Sequence, residues 1–125
     1  QTFKNWNLII VDGNSNAQTQ KILKNYSNFP NINIIQLKKN KKTGFCRNYA
    51  IRNSKSDYIA FIDSDDIWEK EKLYRQLDFM DKNKYHFTYT NYQPFKSTKH
   101  LPVIKPAKYF DFDKLSSPEA IPWSC

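Results

Sequence analysis

Asp63-Ser64-Asp65-Asp66 places three carboxylates in four residues, directly after the apolar run Tyr58-Ile59-Ala60-Phe61-Ile62. Ionised carboxylates this close repel one another, so the cluster makes physical sense where a cation stands among them. A divalent metal is the natural cation. Mg2+ and Mn2+ take one or two protein carboxylates and complete their shells with phosphate oxygens and water, which suits a phosphorylated substrate. In extended backbone, residues two apart point the same way, so Asp63 and Asp65 are expected to converge on one site. A purely structural role, as cap and acidic first turn of the next helix, accounts for Asp66 and Glu69 but not for Asp63 at the end of a strand. A calcium loop of EF-hand type is excluded: counted from Asp63, the position that needs Gly holds Trp68, and the one that needs Glu holds Tyr74.

The elements around the cluster read as alternating strands and helices. The continuous apolar run Asn7-Leu8-Ile9-Ile10-Val11 predicts a parallel strand covered on both faces. It ends in the turn-forming Asp12-Gly13-Asn14-Ser15-Asn16, with Ser15 or Asn16 as helix cap. A helix is predicted to about Asn28, with Ile22, Leu23 and Tyr26 on one face, before Pro30 breaks it. Residues 32–37 predict a second strand. The basic loop Lys38-Lys39-Asn40-Lys41-Lys42 leads to a helix from Thr43 or Gly44 to about Asn53. Residues 57–62 predict a third strand, 69–83 a helix carrying Leu73, Leu77 and Met80 at helical spacing, and 86–92 a fourth strand. Residues 93–106 read as loop, and 111–116 as a short helix. This order predicts an α/β domain with a mostly parallel central sheet flanked by helices. The lack of an initiator Met and the abrupt end suggest an excerpt of a longer protein.

The formal charge of +8 lies wholly in the first half, where residues 1–60 hold ten Lys/Arg against Asp12 and Asp57. Such a surface is either simply solvated or drawn to an anionic partner: a diphosphate, an acidic membrane leaflet or nucleic acid. Nucleic-acid binding calls for aromatics interleaved with cations on one surface, whereas the aromatics here fall mainly in predicted strands and helix cores, so no nucleic-acid partner is expected. No run is apolar enough to span a bilayer. Cys46 and Cys125 have no metal-ligand spacing. Cys46 is expected as a small core residue in a reducing compartment. The isolated His86 and His100 are expected to be neither ligands nor catalysts. There are only two glycines, Gly13 and Gly44. Both follow strand–loop junctions, where a turn or the close approach of a ligand would exclude a side chain.

Taken in order, these blocks resemble the inverting family 2 glycosyltransferases of the GT-A fold, in particular bacterial cell-surface polysaccharide enzymes. The resemblance rests on Phe3–Asp12, on Lys39–Gly44 with Arg47-Asn48-Tyr49-Ala50-Ile51, and on Asp57–Trp68, whose Asp-x-Asp strand matches closely. It implies an incomplete GT-A fold: residues 1–92 as a nucleotide-sugar-binding α/β core lacking its first strand, and 93–125 as the start of a truncated acceptor-side region.

The implied reaction is metal-assisted transfer of a sugar, with inversion, from a nucleotide-diphosphate donor to a glycan or lipid-linked acceptor. The resemblance assigns nucleotide-sugar binding to Asp12, Gly44, Arg47, Asp63 and Ser64. It assigns Mn2+ or Mg2+ to Asp65, supported by Asp63, with Asp66 orienting donor sugar or water nearby. The general base would lie beyond Cys125, so no catalytic residue is named, and the fragment alone need not be active. Asp12 is followed by Gly13-Asn14-Ser15 where the family often has Asp-Asp-Gly-Ser. The missing second acid leaves the nucleotide base open. A cytoplasmic location is expected, with peripheral contact at the inner membrane face through the basic loop. The competing readings are a non-catalytic nucleotide-sugar or nucleic-acid binding module and a phosphatase of the haloacid dehalogenase type. The latter also follows an apolar strand with Asp-x-Asp, but normally begins with that motif.

Overall fold

The computed structural model describes residues 1–96 and 99–105. The chain divides into two compact units, one of Lys4–Ile59 and one of Gln1–Phe3 with the chain from Ala60 onward.

In the first unit, β1 (Leu8–Asp12) and β2 (Ile32–Gln36) pair in parallel, from Leu8 opposite Ile32 to Asp12 opposite Gln36. Their apolar runs form the parallel pair expected, although the strands are half-buried rather than fully covered. The crossover helix α1 (Ala17–Lys24) is capped by Asn16, whose Oδ1 accepts from the Thr19 N–H at 3.0 Å. It stops short of Asn28. Asn25, Ser27 and Asn28 compete for backbone hydrogen bonds, and Pro30 disfavours helix at Phe29. The chain therefore tightens into i→i−3 turns, with Tyr26 N–H donating to Leu23 C=O at 2.9 Å and Ser27 N–H to Lys24 C=O at 3.3 Å. Helix α2 (Thr43–Asn53) has the predicted bounds and packs along β1. On this unit Asp57 is the one exposed carboxylate, because Asp12 is buried.

The predicted third strand is corrected. Residues 57–62 make no strand ladder among the described residues, and Tyr58, Ile59, Phe61 and Ile62 stay exposed. A buried-strand composition states a preference, but a ladder also needs a partner for each N–H and C=O. Here the chain passes from one unit to the other between Ile59 and Ala60.

The second unit is organised around α3 (Lys72–Asn83). It begins three residues later than the sequence suggests, because Glu69–Glu71 form a turn closed by Lys72 N–H to Glu69 C=O at 3.1 Å. Gln1 serves the helix start from a distance. Its Oε1 accepts from Leu73 N–H at 3.2 Å and its Nε2 donates to Glu69 C=O at 2.9 Å, while Thr2 N–H donates to Lys70 C=O at 2.8 Å. The helix ends at Lys84, in the left-handed region with φ 58°, and Tyr85 N–H returns to Met80 C=O at 3.0 Å.

The predicted fourth strand reduces to one antiparallel bridge, Tyr92 with Ile104. Upstream, Gln76 Nε2 donates to Thr88 Oγ1 at 2.9 Å. The segment read as loop instead carries a short antiparallel pair, β3 (Phe95–Lys96) against β4 (Lys99–His100). Both differences have one cause: β-branched and aromatic composition favours strand but does not name the strand's partner. The predicted helix at 111–116 and Cys125 lie outside the described residues.

Candidate functional site

The only buried residue among those described is a carboxylate, Asp12, at 7% exposure at the carboxyl end of β1. Its Oδ1 accepts from Ser15 N–H at 2.8 Å, closing the turn that leaves the strand. Asp12 Oδ2 and Ser15 Oγ are also buried, and neither has a hydrogen-bond partner among the described residues. Leaving one such group unsatisfied costs about 1–3 kcal/mol, more when it is charged, so folding alone does not favour this arrangement. Asn14, at φ 78°, turns the chain between them in a conformation Asn tolerates. Ser15 was legible as a cap candidate but not as a site residue. The available signal was its place three residues after a strand-end Asp, where a side-chain turn brings it back beside the carboxylate.

Gly13 fixes what lies next to this pair. Its C=O accepts from Lys41 N–H at 3.3 Å, and a Cβ built on it would stand 2.9 Å from Lys41 O. The basic loop is thus clamped backbone to backbone against the end of β1. Cys46, expected in the core, is half-exposed instead, with its Sγ donating to Lys41 O at 3.8 Å. Residues 38–45 are all exposed. The Lys41 ammonium lies over the Phe45 ring at 5.0 Å, and the Phe45 and Tyr49 rings meet at 6.3 Å. Gly44 lies in the first turn of α2, and a Cβ there would meet nothing within 4 Å. Arg47 follows one turn later on the same side of the helix, half-buried.

The carboxylate cluster belongs to the other unit. Asp66 N–H donates to Asp63 C=O at 3.1 Å, making Ser64 and Asp65 the centre of a tight turn. The alternation of an extended strand therefore does not apply to Asp63 and Asp65. The turn exposes Asp65 and Ser64 and leaves Asp63 and Asp66 half-buried. Among the described residues no group of three or more His, Cys, Asp or Glu is arranged to hold a metal. The donor chemistry still fits Mg2+ or Mn2+: hard carboxylate oxygens, one or two at a time, with most of the shell left to phosphate and water.

Residues 1–120 match the model of a family described as glycosyl transferase family 2. TuaG of Bacillus subtilis (strain 168), named as a teichuronic acid biosynthesis glycosyltransferase, is 38% identical over 93 residues, covering 74% of this chain and 37% of that protein. WfaP of Escherichia coli, named as a UDP-Glc:alpha-D-GlcNAc-diphosphoundecaprenol beta-1,3-glucosyltransferase, is 39% identical over 94 residues, 74% of this chain and 36% of its own length. WfgD, also of Escherichia coli and named for the same reaction, is 36% identical over 93 residues with the same coverage, 74% and 36%. The matched part is thus little over a third of the length of these curated relatives. No solved structure is significantly similar to the chain.

Proposed function

The chain belongs to glycosyl transferase family 2, a family of GT-A fold, and on that footing we propose that the protein transfers a sugar, with inversion, from a nucleotide-diphosphate donor to a glycan or lipid-linked acceptor. The observation that carries this reading is the buried pair of unpartnered atoms, Asp12 Oδ2 and Ser15 Oγ, at the carboxyl edge of a parallel strand. Ligands of open α/β sheets bind outside such strand ends. A carboxylate oxygen held there by its own turn accepts an N–H from a nucleotide base, and the adjacent hydroxyl is free to donate to a base carbonyl. Arg47 and the open backbone at Gly44 are assigned to the same nucleotide, and Asp63 and Ser64 to its ribose and sugar side.

Asp65, with Asp63 beside it, would hold Mn2+ or Mg2+, which when bound supplies Lewis-acid stabilisation of the negative charge on the departing diphosphate. Asp66 orients donor sugar or water alongside. The acceptor hydroxyl attacks the face opposite the leaving group and gives its proton to a carboxylate base, a role assigned to none of the described residues. Residues 1–92 are assigned to the donor and 93–125 to the start of the acceptor side. WfaP and WfgD are named for acceptors linked to diphosphoundecaprenol. We propose a lipid-linked acceptor for this protein too and, as a separate expectation, a location at the cytoplasmic face of the membrane.

The test is donor turnover by the full-length enzyme with Mn2+ or Mg2+. Asp65→Ala should lower metal-dependent kcat on the order of 10²-fold or more while nucleotide still binds. Equal metal-dependent activity in both proteins would remove Asp65 from the metal. Tight donor binding without turnover by the wild type would favour the non-catalytic module.

A further inference from the structure

From Gly13 to Ser56 the chain has no acidic residue, and the unit Lys4–Ile59 holds ten Lys/Arg against Asp12 and Asp57. Since Asp12 is buried, this unit meets solvent as a nearly unopposed cation. Its densest point is the loop with Lys38, Lys39, Lys41 and Lys42, every one of them exposed. Immediately after that loop, α2 presents Phe45 at 47% and Tyr49 at 36% exposure, one helical turn apart. Lysines bordering exposed rings at the start of a helix combine the two attractions that hold a protein on an anionic bilayer: charge toward the head groups and aromatic surface at the acyl boundary.

We propose that Lys38, Lys39, Lys41 and Lys42 with Phe45 and Tyr49 form a docking surface for an anionic lipid bilayer. Two observations favour this occupant over single-stranded nucleic acid, which the same charge would attract. Base stacking competes for ring faces, and here the Lys41 ammonium occupies one face of Phe45 while the Phe45 and Tyr49 rings lie tilted against each other at 6.3 Å. Shallow burial in a bilayer needs only the outer edges of those rings. The loop is also pinned through Lys41 to Gly13, so the bilayer would meet the carboxyl edge of β1 at a fixed place beside Asp12. This deepens the proposed use of a lipid-linked acceptor, but rests on charge and geometry that hold whether or not sugar is transferred.

The experiment is co-sedimentation of the full-length protein with phosphatidylglycerol/phosphatidylethanolamine vesicles and with phosphatidylcholine vesicles, at low and high salt. Alongside it, hydrogen exchange over residues 38–50 gives a readout local to the surface. The wild type should partition to the anionic vesicles, lose that preference at high salt, and show slowed exchange over 38–50. Lys41→Gln with Lys42→Gln should weaken partition roughly thirtyfold, at about 1 kcal/mol per cation near the surface. Phe45→Ser with Tyr49→Ser should weaken it about tenfold with the charge unchanged, an effect that charge attraction alone does not predict.

The proposal is overturned if the wild type shows no protection over 38–50, if either double variant partitions like wild type, or if oligonucleotides compete the protein off the vesicles through the aromatic pair. Binding of a UDP-sugar, measured on the wild type and on both variants, separates the two readings. A wild type that binds the donor but not the anionic vesicles leaves the transferase and sinks the surface, and a wild type that binds the vesicles but no donor does the opposite. Variants that lose vesicle binding while keeping donor binding support the surface.

Discussion

Among single residues, Gly13 and Gly44 have opposite environments and therefore opposite expected responses to a methyl group. At Gly13 the added Cβ would stand 2.9 Å from the Lys41 carbonyl oxygen, a backbone atom with little room to yield. Gly13→Ala should cost about 1–3 kcal/mol in denaturant unfolding and release the basic loop from β1. At Gly44 the space is open, so Gly44→Ala should stabilise α2 by up to about 1 kcal/mol. If donor phosphates approach the backbone there, the same change should weaken nucleotide binding. A variant that gains stability without losing donor affinity would take Gly44 out of the site. Residue types singled out most of the candidates: carboxylates after an apolar run, and rare glycines at junctions. The role of Ser15 was not legible, because burial of a hydroxyl depends on how a neighbouring turn closes, and no local pattern encodes that. Nor was the turn at Ser64–Asp65, since the same letters suit an extended strand end.

Elements were legible in proportion to how far their own hydrogen bonds suffice. The bounds of α2 followed from the sequence, and α1 and α3 differed only at an end, because a helix satisfies its backbone internally. The segments 57–62 and 86–92 have strand composition, but a ladder depends on partners distant in sequence, and here the regular antiparallel pairing went to Phe95–Lys96 with Lys99–His100. The end of α3 carries a prediction of its own. Lys84 holds a left-handed conformation, φ 58° and ψ 36°, where a side chain is disfavoured. Lys84→Gly should raise stability by roughly 0.5–1 kcal/mol in denaturant unfolding, because relief of that strain exceeds the added chain entropy of glycine. A loss of stability would mean that the lysine side chain contributes there.

At the scale of the whole molecule, the uneven charge found in the sequence coincides with a unit of the fold: the excess of +8 equals the charge of Lys4–Ile59, ten cations less two acids. That unit contains no histidine, since the only two are His86 and His100. Histidine is the side chain whose ordinary titration falls between pH 5 and 8. The basic unit therefore lacks the residue type that ordinarily changes charge across that range. Its pull on an anionic surface would behave as a fixed field, deaf to acidification and responsive only to ionic strength, whose screening length near physiological salt is about 8 Å, and to the charge density of whatever lies opposite. Control of such an encounter would have to come from the composition of the partner surface rather than from a proton switch within this half of the chain.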